Sequence, residues 1–92
     1  MDKPQKHIAL PQMGTITYAL FDARGKRSRN VKVVYIDAGQ KHWSYEIRDP
    51  EVKAGRQQES GFVEADNLTD AISNIDRRVE EHFRGGANEI KD

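Results

Sequence analysis

The chain has 92 residues, of which 36% are hydrophobic and 33% charged, and its formal net charge is zero. A chain of this length supports one modest hydrophobic core, so we expect a single domain built from one sheet and one helix. The sequence has no cysteine, which excludes a disulfide framework and a thiolate metal site, and its apolar runs are too short to cross a membrane. We therefore expect a soluble cytoplasmic protein without membrane contact.

The N-terminal part of the sequence predicts a flexible arm followed by a hairpin. Residues 1–13 contain two prolines and one short apolar cluster, a composition typical of a disordered segment. Residues 15–23 carry Ile16, Tyr18 and Leu20 at every second position, and residues 31–37 are rich in valine, so both segments predict strands. The polar segment 24–30 joins them as a long basic tip.

A second hairpin is predicted around Asp37, Ala38 and Gly39. We expect Gly39 to take the left-handed position of a three-residue turn, and the Asp37 carboxylate to accept hydrogen bonds from backbone donors of that turn. A loop of odd length places alternate residues of the two flanking strands on one face. The residues predicted to share that face are Val31, Val33, Tyr35, Trp43, Tyr45 and Ile47.

The second half of the sequence predicts a loop, a short strand and a helix. Pro50 ends the third strand, residues 51–59 lack either period and predict a mobile loop, and residues 61–65 predict a short fourth strand. Residues 67–84 predict an amphipathic helix with Asn67 as its N-cap. Gly85 and Gly86 end it. The apolar stripe of this helix consists of Leu68, Ile72, Ile75, Val79 and Phe83, with Ala71 beside them.

Together these elements predict an α+β domain over residues 14–84. It consists of a three- or four-stranded antiparallel meander with one C-terminal helix packed on one face, and residues 85–92 form a flexible tail. Because one helix covers one face, we expect Phe21, Val34 and Ile36 on the uncovered face. Contiguous apolar surface there is typical of a protein interface or a dimer contact.

The zero net charge conceals a strong asymmetry. Residues 1–48 carry nine Lys or Arg against four Asp or Glu, and residues 49–92 carry six against eleven. The basic tip and the lysines near it are therefore candidate phosphate contacts, although a solvated turn explains the same cluster. The candidate nucleic-acid contacts are Arg24, Lys26, Arg27, Arg29, Lys32 and Lys41.

Catalytic and metal motifs do not emerge from the sequence. His7, His42 and His82 are too far apart for a recurrent ligand spacing, so no metal is expected. No glycine-rich phosphate loop and no nucleophile elbow is present, which favours a protein without enzymatic activity or cofactor.

The order of strand, acidic turn and amphipathic helix over Gly61 to Phe83 resembles the strand-to-helix segment of HicB-type antitoxin domains. In that family the helix packs on a small antiparallel sheet, and the resemblance implies the same packing here. The sequence departs from the family in lacking the proline-glycine approach to the helix.

Two functional hypotheses follow from these patterns. The first is a non-enzymatic interaction or regulatory module that binds another protein, or a second copy, through its open sheet face or edge. The alternative is nucleic-acid binding by the basic hairpin between the first two strands.

Overall fold

The computed structural model of the chain describes residues 12–52 and 58–90. They form one five-stranded antiparallel sheet in the order β4-β3-β2-β1-β5 and one helix that packs against it. This arrangement confirms the predicted α+β class with a C-terminal helix. The elements are β1 (Met13–Phe21), β2 (Arg27–Gly39), β3 (His42–Arg48), β4 (Glu59–Glu64), α1 (Leu68–His82) and β5 (Ala87–Glu89).

Alternation along the three central strands, broken at Ala19, which is buried on the other face, produces the core. Residues of β1, β2 and β3 that face α1 are buried, and the inner and outer sets follow the two-residue period of a strand. Tyr35 lies opposite Tyr45, and Val33 lies opposite Ile47, so the residues predicted to share a face do share it. The buried inner set is Ile16, Tyr18, Leu20, Val31, Val33, Tyr35, Trp43, Tyr45, Ile47 and Val63.

The position of the turn between β2 and β3 differs from the prediction. The turn residues are Gln40 and Lys41, both at positive φ (55° and 65°), rather than residues 37–39. Gly39 is left-handed as expected (φ 88°), but it lies in an irregularity of β2 next to Ala38. A two-residue turn plus one extra strand residue has the same parity as a three-residue turn, so the predicted faces are correct although the turn is not. Asp37 accepts a 2.9 Å hydrogen bond from the Gly39 amide, as predicted.

The helix begins and ends close to the predicted residues. The Asn67 side chain accepts from the Asp70 amide at 2.8 Å and is the N-cap. Ala71, Ile75 and Val79 are completely buried, whereas Leu68, Ile72 and Phe83 are partly buried at the rim of the core. At fifteen residues, α1 is too short to span a bilayer, and it is the sole helix of the described segments.

The end of the chain corrects the predicted tail and the predicted number of strands. Residues 87–89 form β5, which pairs with β1, so the sheet has five strands rather than three or four. The Phe21 amide donates to the Gly86 carbonyl at 2.7 Å, and a Cβ on Gly86 would lie 2.9 Å from the Phe21 carbonyl oxygen. Glycine is therefore needed where β5 approaches β1.

The predicted limits at the start of the domain and in the 51–59 loop shift slightly. Met13 belongs to β1 rather than to the arm, and Glu59 belongs to β4 rather than to the loop. Gln12 is described and accepts a hydrogen bond from the Asp37 amide at 2.8 Å. Residues 1–11 of the predicted arm lie outside the described residues, as do residues 53–57 of the predicted loop.

Two tyrosines on the inner face lie over glycines in the neighbouring strands. Gly14, Tyr35, Tyr45 and Gly61 form one cross-strand row from β1 to β4. A Cβ on Gly14 would lie 2.8 Å from Cζ of Tyr35, and a Cβ on Gly61 would lie 2.8 Å from the Tyr45 hydroxyl. Both glycines are therefore required by the rings beside them.

Adding a methyl group at these glycines should destabilise the domain through the tyrosines. We expect Gly14→Ala to lower the unfolding free energy by roughly 1–3 kcal/mol, because the Tyr35 ring must move within a packed core. Urea denaturation of Gly14→Ala, Tyr35→Leu and the double variant measures the coupling between the two sites. The alanine should cost clearly less in the Tyr35→Leu background. Additive effects would show that the ring is not the obstacle.

Candidate protein-binding face and basic hairpin tip

The face of the sheet opposite α1, called here the open face, carries large exposed apolar side chains. Met13, Ile36, Ser44 and Phe62 lie directly opposite one another across β1, β2, β3 and β4. We call this cross-strand set the exposed row. Met13 is 66% exposed and Phe62 is 60% exposed. Moving each of these side chains from water into an interface would stabilise a complex by at most about 1.5–3 kcal/mol. The exposed row therefore carries most of the apolar binding energy that this face can supply.

Polarity increases along the open face away from the exposed row. The next cross-strand row contains Thr15, Val34, Glu46 and Ser60. The row after it places Lys32 directly opposite Arg48, a pair of like charges that is unfavourable across strands. Arg48 donates from Nε to Glu46 at 2.8 Å, which offsets part of this repulsion.

A shallow cavity of about 300 Å³ lies beside the exposed row. Val34, Ile36, Ser44 and Ser60 are among its lining residues, and the two small serines leave the surface low next to the large Phe62 ring. Serine at two of these positions therefore creates room on this face for a side chain of another molecule.

The structure brings two of the three predicted interface residues together. Val34 and Ile36 are half-buried on the open face, in neighbouring rows. Phe21 is half-buried at the other end of β1, six residues beyond the Val34 partner Thr15, or about 20 Å along the strand. Met13 and Phe62 complete the patch instead. Neither residue is predicted from the sequence, because Met13 falls in the predicted arm and Phe62 in a short predicted strand whose faces the sequence does not assign.

The six candidate phosphate contacts do not form one patch. Arg24, Lys26 and Arg27 are exposed at the turn between β1 and β2, which we call the basic tip. Asp22 holds this turn, because its carboxylate accepts from the Arg24 and Lys26 amides at 2.8 and 2.9 Å.

The other three candidates lie elsewhere. Lys32 is on the open face. Lys41 is in the turn at the opposite end of β2 and lies 3.2 Å from an Asp66 carboxylate oxygen. Arg29 donates to both carboxylate oxygens of Asp49 at 2.7 and 2.6 Å.

The Arg29–Asp49 pair is structural in character. Asp49 is buried, and its carboxylate also accepts from the Glu51 amide at 3.0 Å. Hydrogen bonding from the Arg29 guanidinium lowers the pKa of Asp49 below its ordinary value. The bidentate pair joins the start of β2 to the residue after β3. The Arg29 guanidinium therefore binds a carboxylate of the same chain rather than facing solvent as a free phosphate contact.

A second buried polar contact joins the sheet to the helix. The hydroxyl of Tyr18, a buried residue of β1, donates to the carboxylate of Asp76 on α1. Burial and this hydrogen bond raise the pKa of Tyr18 well above its ordinary value. The tyrosine therefore stays neutral, and it fixes the rotation of α1 on the sheet. Sequence spacing gives no signal for a contact between residues 58 apart.

Within the described residues, no group of three or more His, Cys, Asp or Glu side chains is placed to hold a metal ion. The polar clusters described above are engaged in contacts between elements.

Comparison with known proteins finds no family model that matches the chain, and no curated protein and no solved structure that is similar to it. The likeness to HicB-type domains therefore stands on the order of strand, turn and helix alone.

The Arg29–Asp49 pair should make stability depend on pH in acid. Because the folded pKa of Asp49 lies below its ordinary value near 3.8, the pair stabilises the fold above that value. This contribution disappears as the pH falls through the folded pKa. Asp49→Asn should lower the unfolding free energy by about 1–3 kcal/mol at pH 7, and by less at pH 3.

Urea denaturation at pH 7, 5 and 3 measures this difference. The matched control is Glu51→Gln, because Glu51 lies 3.6 Å from the same guanidinium but is 67% exposed. It should change stability by less than about 0.5 kcal/mol. A loss in Asp49→Asn that is the same at all three pH values would contradict the ion-pair explanation.

Proposed function

We propose that the chain is a small non-enzymatic protein-interaction or regulatory module. Its open face, or the sheet edge beside that face, binds another protein or a second copy of the chain. The observation that carries this proposal is the exposed row, in which Met13 and Phe62 extend from a face that α1 leaves uncovered. Exposed apolar surface with a polar surround is typical of protein interfaces.

The size of the open face favours a modest interface. Four strands about 4.8 Å apart and five residues long project an area of roughly 320 Å². A stable complex buries about 800 Å² on each partner, so this face alone suits a short segment or a transient contact. A larger partner needs additional contacts at the edge of the sheet.

The internal polar contacts favour a binding role over catalysis. Asp49 is held by Arg29, and Tyr18 is held by Asp76, and each of these two contacts links two elements. Such mutually satisfied pairs stabilise a scaffold.

Removing the exposed row should abolish association while leaving the fold intact. Phe62→Ser combined with Met13→Ser takes two exposed side chains off the surface, so the melting temperature should change little. Sedimentation equilibrium up to about 500 μM tests self-association. Quantitative affinity capture, compared between the parent and the variant, tests for a separate partner.

The matched control is Glu81→Ser, an exposed substitution on the helix side. The proposal requires that dimerisation, or retention of a captured protein, is lost in the double serine variant and kept in Glu81→Ser. A monomeric parent whose captured proteins are unchanged by the double variant would contradict it.

One observation favours nucleic-acid binding as a second candidate function. Arg24, Lys26 and Arg27 are exposed together on a turn that Asp22 holds in place. Three cations on a protruding hairpin can neutralise phosphates without any base contact.

The salt dependence of binding tests this candidate. With three phosphate contacts, log affinity for duplex DNA should fall against log salt with a slope of about −3, and alanine at all three positions should remove most of that slope. Arg77→Ala with Arg78→Ala, two exposed arginines of α1, is the control and should leave the slope unchanged. No gel retardation at about 100 μM protein in low salt would contradict nucleic-acid binding.

A further inference from the structure

The strand β4 lies at an edge of the sheet and is hydrogen-bonded on one side only, to β3. The Ala65 amide donates to the Lys41 carbonyl at 2.9 Å, so the backbone amide of Ala65 points towards β3. Antiparallel pairs alternate, and the backbone groups of Ser60 and Phe62 therefore point away from β3. The described residues leave this side of β4 uncovered.

A side chain of α1 marks where the open edge ends. Asn74 donates from Nδ2 to the Glu64 carbonyl at 2.8 Å, and this carbonyl belongs to the outward-pointing set. The outward amide and carbonyl groups of Ser60 and Phe62 are therefore open to a new strand, whereas the next outward carbonyl, that of Glu64, already accepts from Asn74. An added strand would have about five residues in register with β4.

The charges along β4 select the chemistry of the added strand. Glu59 and Glu64 stand at the two ends of β4, and Asp66 and Asp70 follow at the start of the helix. Asp66, Asp70 and Glu64 line an open cavity of about 490 Å³ at the end of this edge. Lys41 lies 3.2 Å from Asp66 and offsets part of the negative charge, and His42 Nε2 lies 3.2 Å from a Glu64 carboxylate oxygen, but the edge stays acidic.

The same charges disfavour a second copy as the occupant. Antiparallel pairing of β4 with its own copy about Phe62 places Glu64 opposite Ser60 and Glu59 opposite Ala65, so four glutamates share one short ladder with no basic side chain opposite them. A strand with basic residues opposite Glu59 and Glu64 adds the charge attraction that self-pairing lacks.

The geometry points to β4 as the site where an extended basic segment of a partner protein adds to the sheet. This inference rests on the proposed function and specifies the edge and the partner chemistry. In an antiparallel added strand, an apolar residue lies opposite Phe62 and extends the exposed row. One basic residue two positions before it lies beside Glu64, at the closed end of the edge, where it meets the carboxylate and makes no backbone hydrogen bond to the Glu64 carbonyl. Another, three positions after it, lies opposite Glu59.

Synthetic peptides test this pattern directly. The probe is an acetylated, amidated and fluorescein-labelled peptide of sequence Thr-Thr-Lys-Thr-Val-Thr-Thr-Lys-Thr-Thr, and its counterpart has Glu in place of both lysines. Fluorescence anisotropy with the full chain should show binding of the lysine peptide and at least tenfold weaker binding of the glutamate peptide. Equal binding of both peptides, or no binding of the lysine peptide up to about 1 mM, would overturn the inference.

Two changes separate strand addition from simple charge attraction. N-methylation of the valine removes the amide that donates to the Phe62 carbonyl, so binding should be lost without any change in the protein. Glu64→Lys should weaken the lysine peptide by about five- to tenfold and strengthen the glutamate peptide. Binding that survives N-methylation would overturn strand addition.

A proline variant in β4 and its oligomeric state, measured by sedimentation equilibrium, complete the test. Ser60→Pro removes an outward amide without removing a ladder hydrogen bond, so it should abolish peptide binding while the circular dichroism spectrum is retained. If Ser60→Pro does not fold, the N-methylated peptide alone decides. Dissociation of a parent dimer by Ser60→Pro would overturn the inference in favour of a second copy. If peptide binding fails while the double serine variant at Met13 and Phe62 still loses its partner, the edge assignment is wrong and the proposed function stands.

Discussion

A single helix can cover one face of a sheet, and this constraint decides how the molecule divides between core and surface. The fifteen residues of α1 make a rod about 22 Å long and 10 Å wide, whereas five strands span roughly 20 Å or more. Ile75 and Val79 fill the centre of the contact. Trp43 and the two ring-over-glycine contacts, one between β1 and β2 and the other between β3 and β4, complete the inner face. Because α1 packs only on the inner face, no helix shields the outer face from solvent, and its own side chains form the surface there.

That outer face is graded rather than uniformly polar. Apolar residues are concentrated near the turn between β2 and β3, and the like-charged pair of Lys32 and Arg48 lies two rows, or about 13 Å, away. A partner therefore meets an apolar region and a basic region on the face, and an acidic strand at its edge. These three regions define the orientation of a bound segment more strongly than the apolar side chains do alone.

The sequence predicts well what depends on neighbouring residues. The helix follows from a local 3.6-residue pattern and from Asn67, whose hydrogen bond to Asp70 spans three residues. The core faces follow from alternation within each strand. The strand β5 escapes prediction because three residues show no period, and its hydrogen bonds come from β1. The pairing of Arg29 with Asp49 depends likewise on strand register, so an arginine that reads as a phosphate contact is held inside the fold.

The pairing of β5 with β1 has a consequence for the folding pathway. The strands β1 to β4 pair with their neighbours in sequence, whereas Tyr18 and Glu89 are about 70 residues apart, so β5 closes the longest loop of the fold. Closing a long loop lowers the conformational entropy of the chain, and a strand of three residues offsets this cost with few hydrogen bonds. We therefore expect β5 to join the sheet late in folding and to open early, in a local transition that leaves the four-stranded meander paired. Native-state hydrogen exchange would then divide this small domain into two cooperative units of unequal protection.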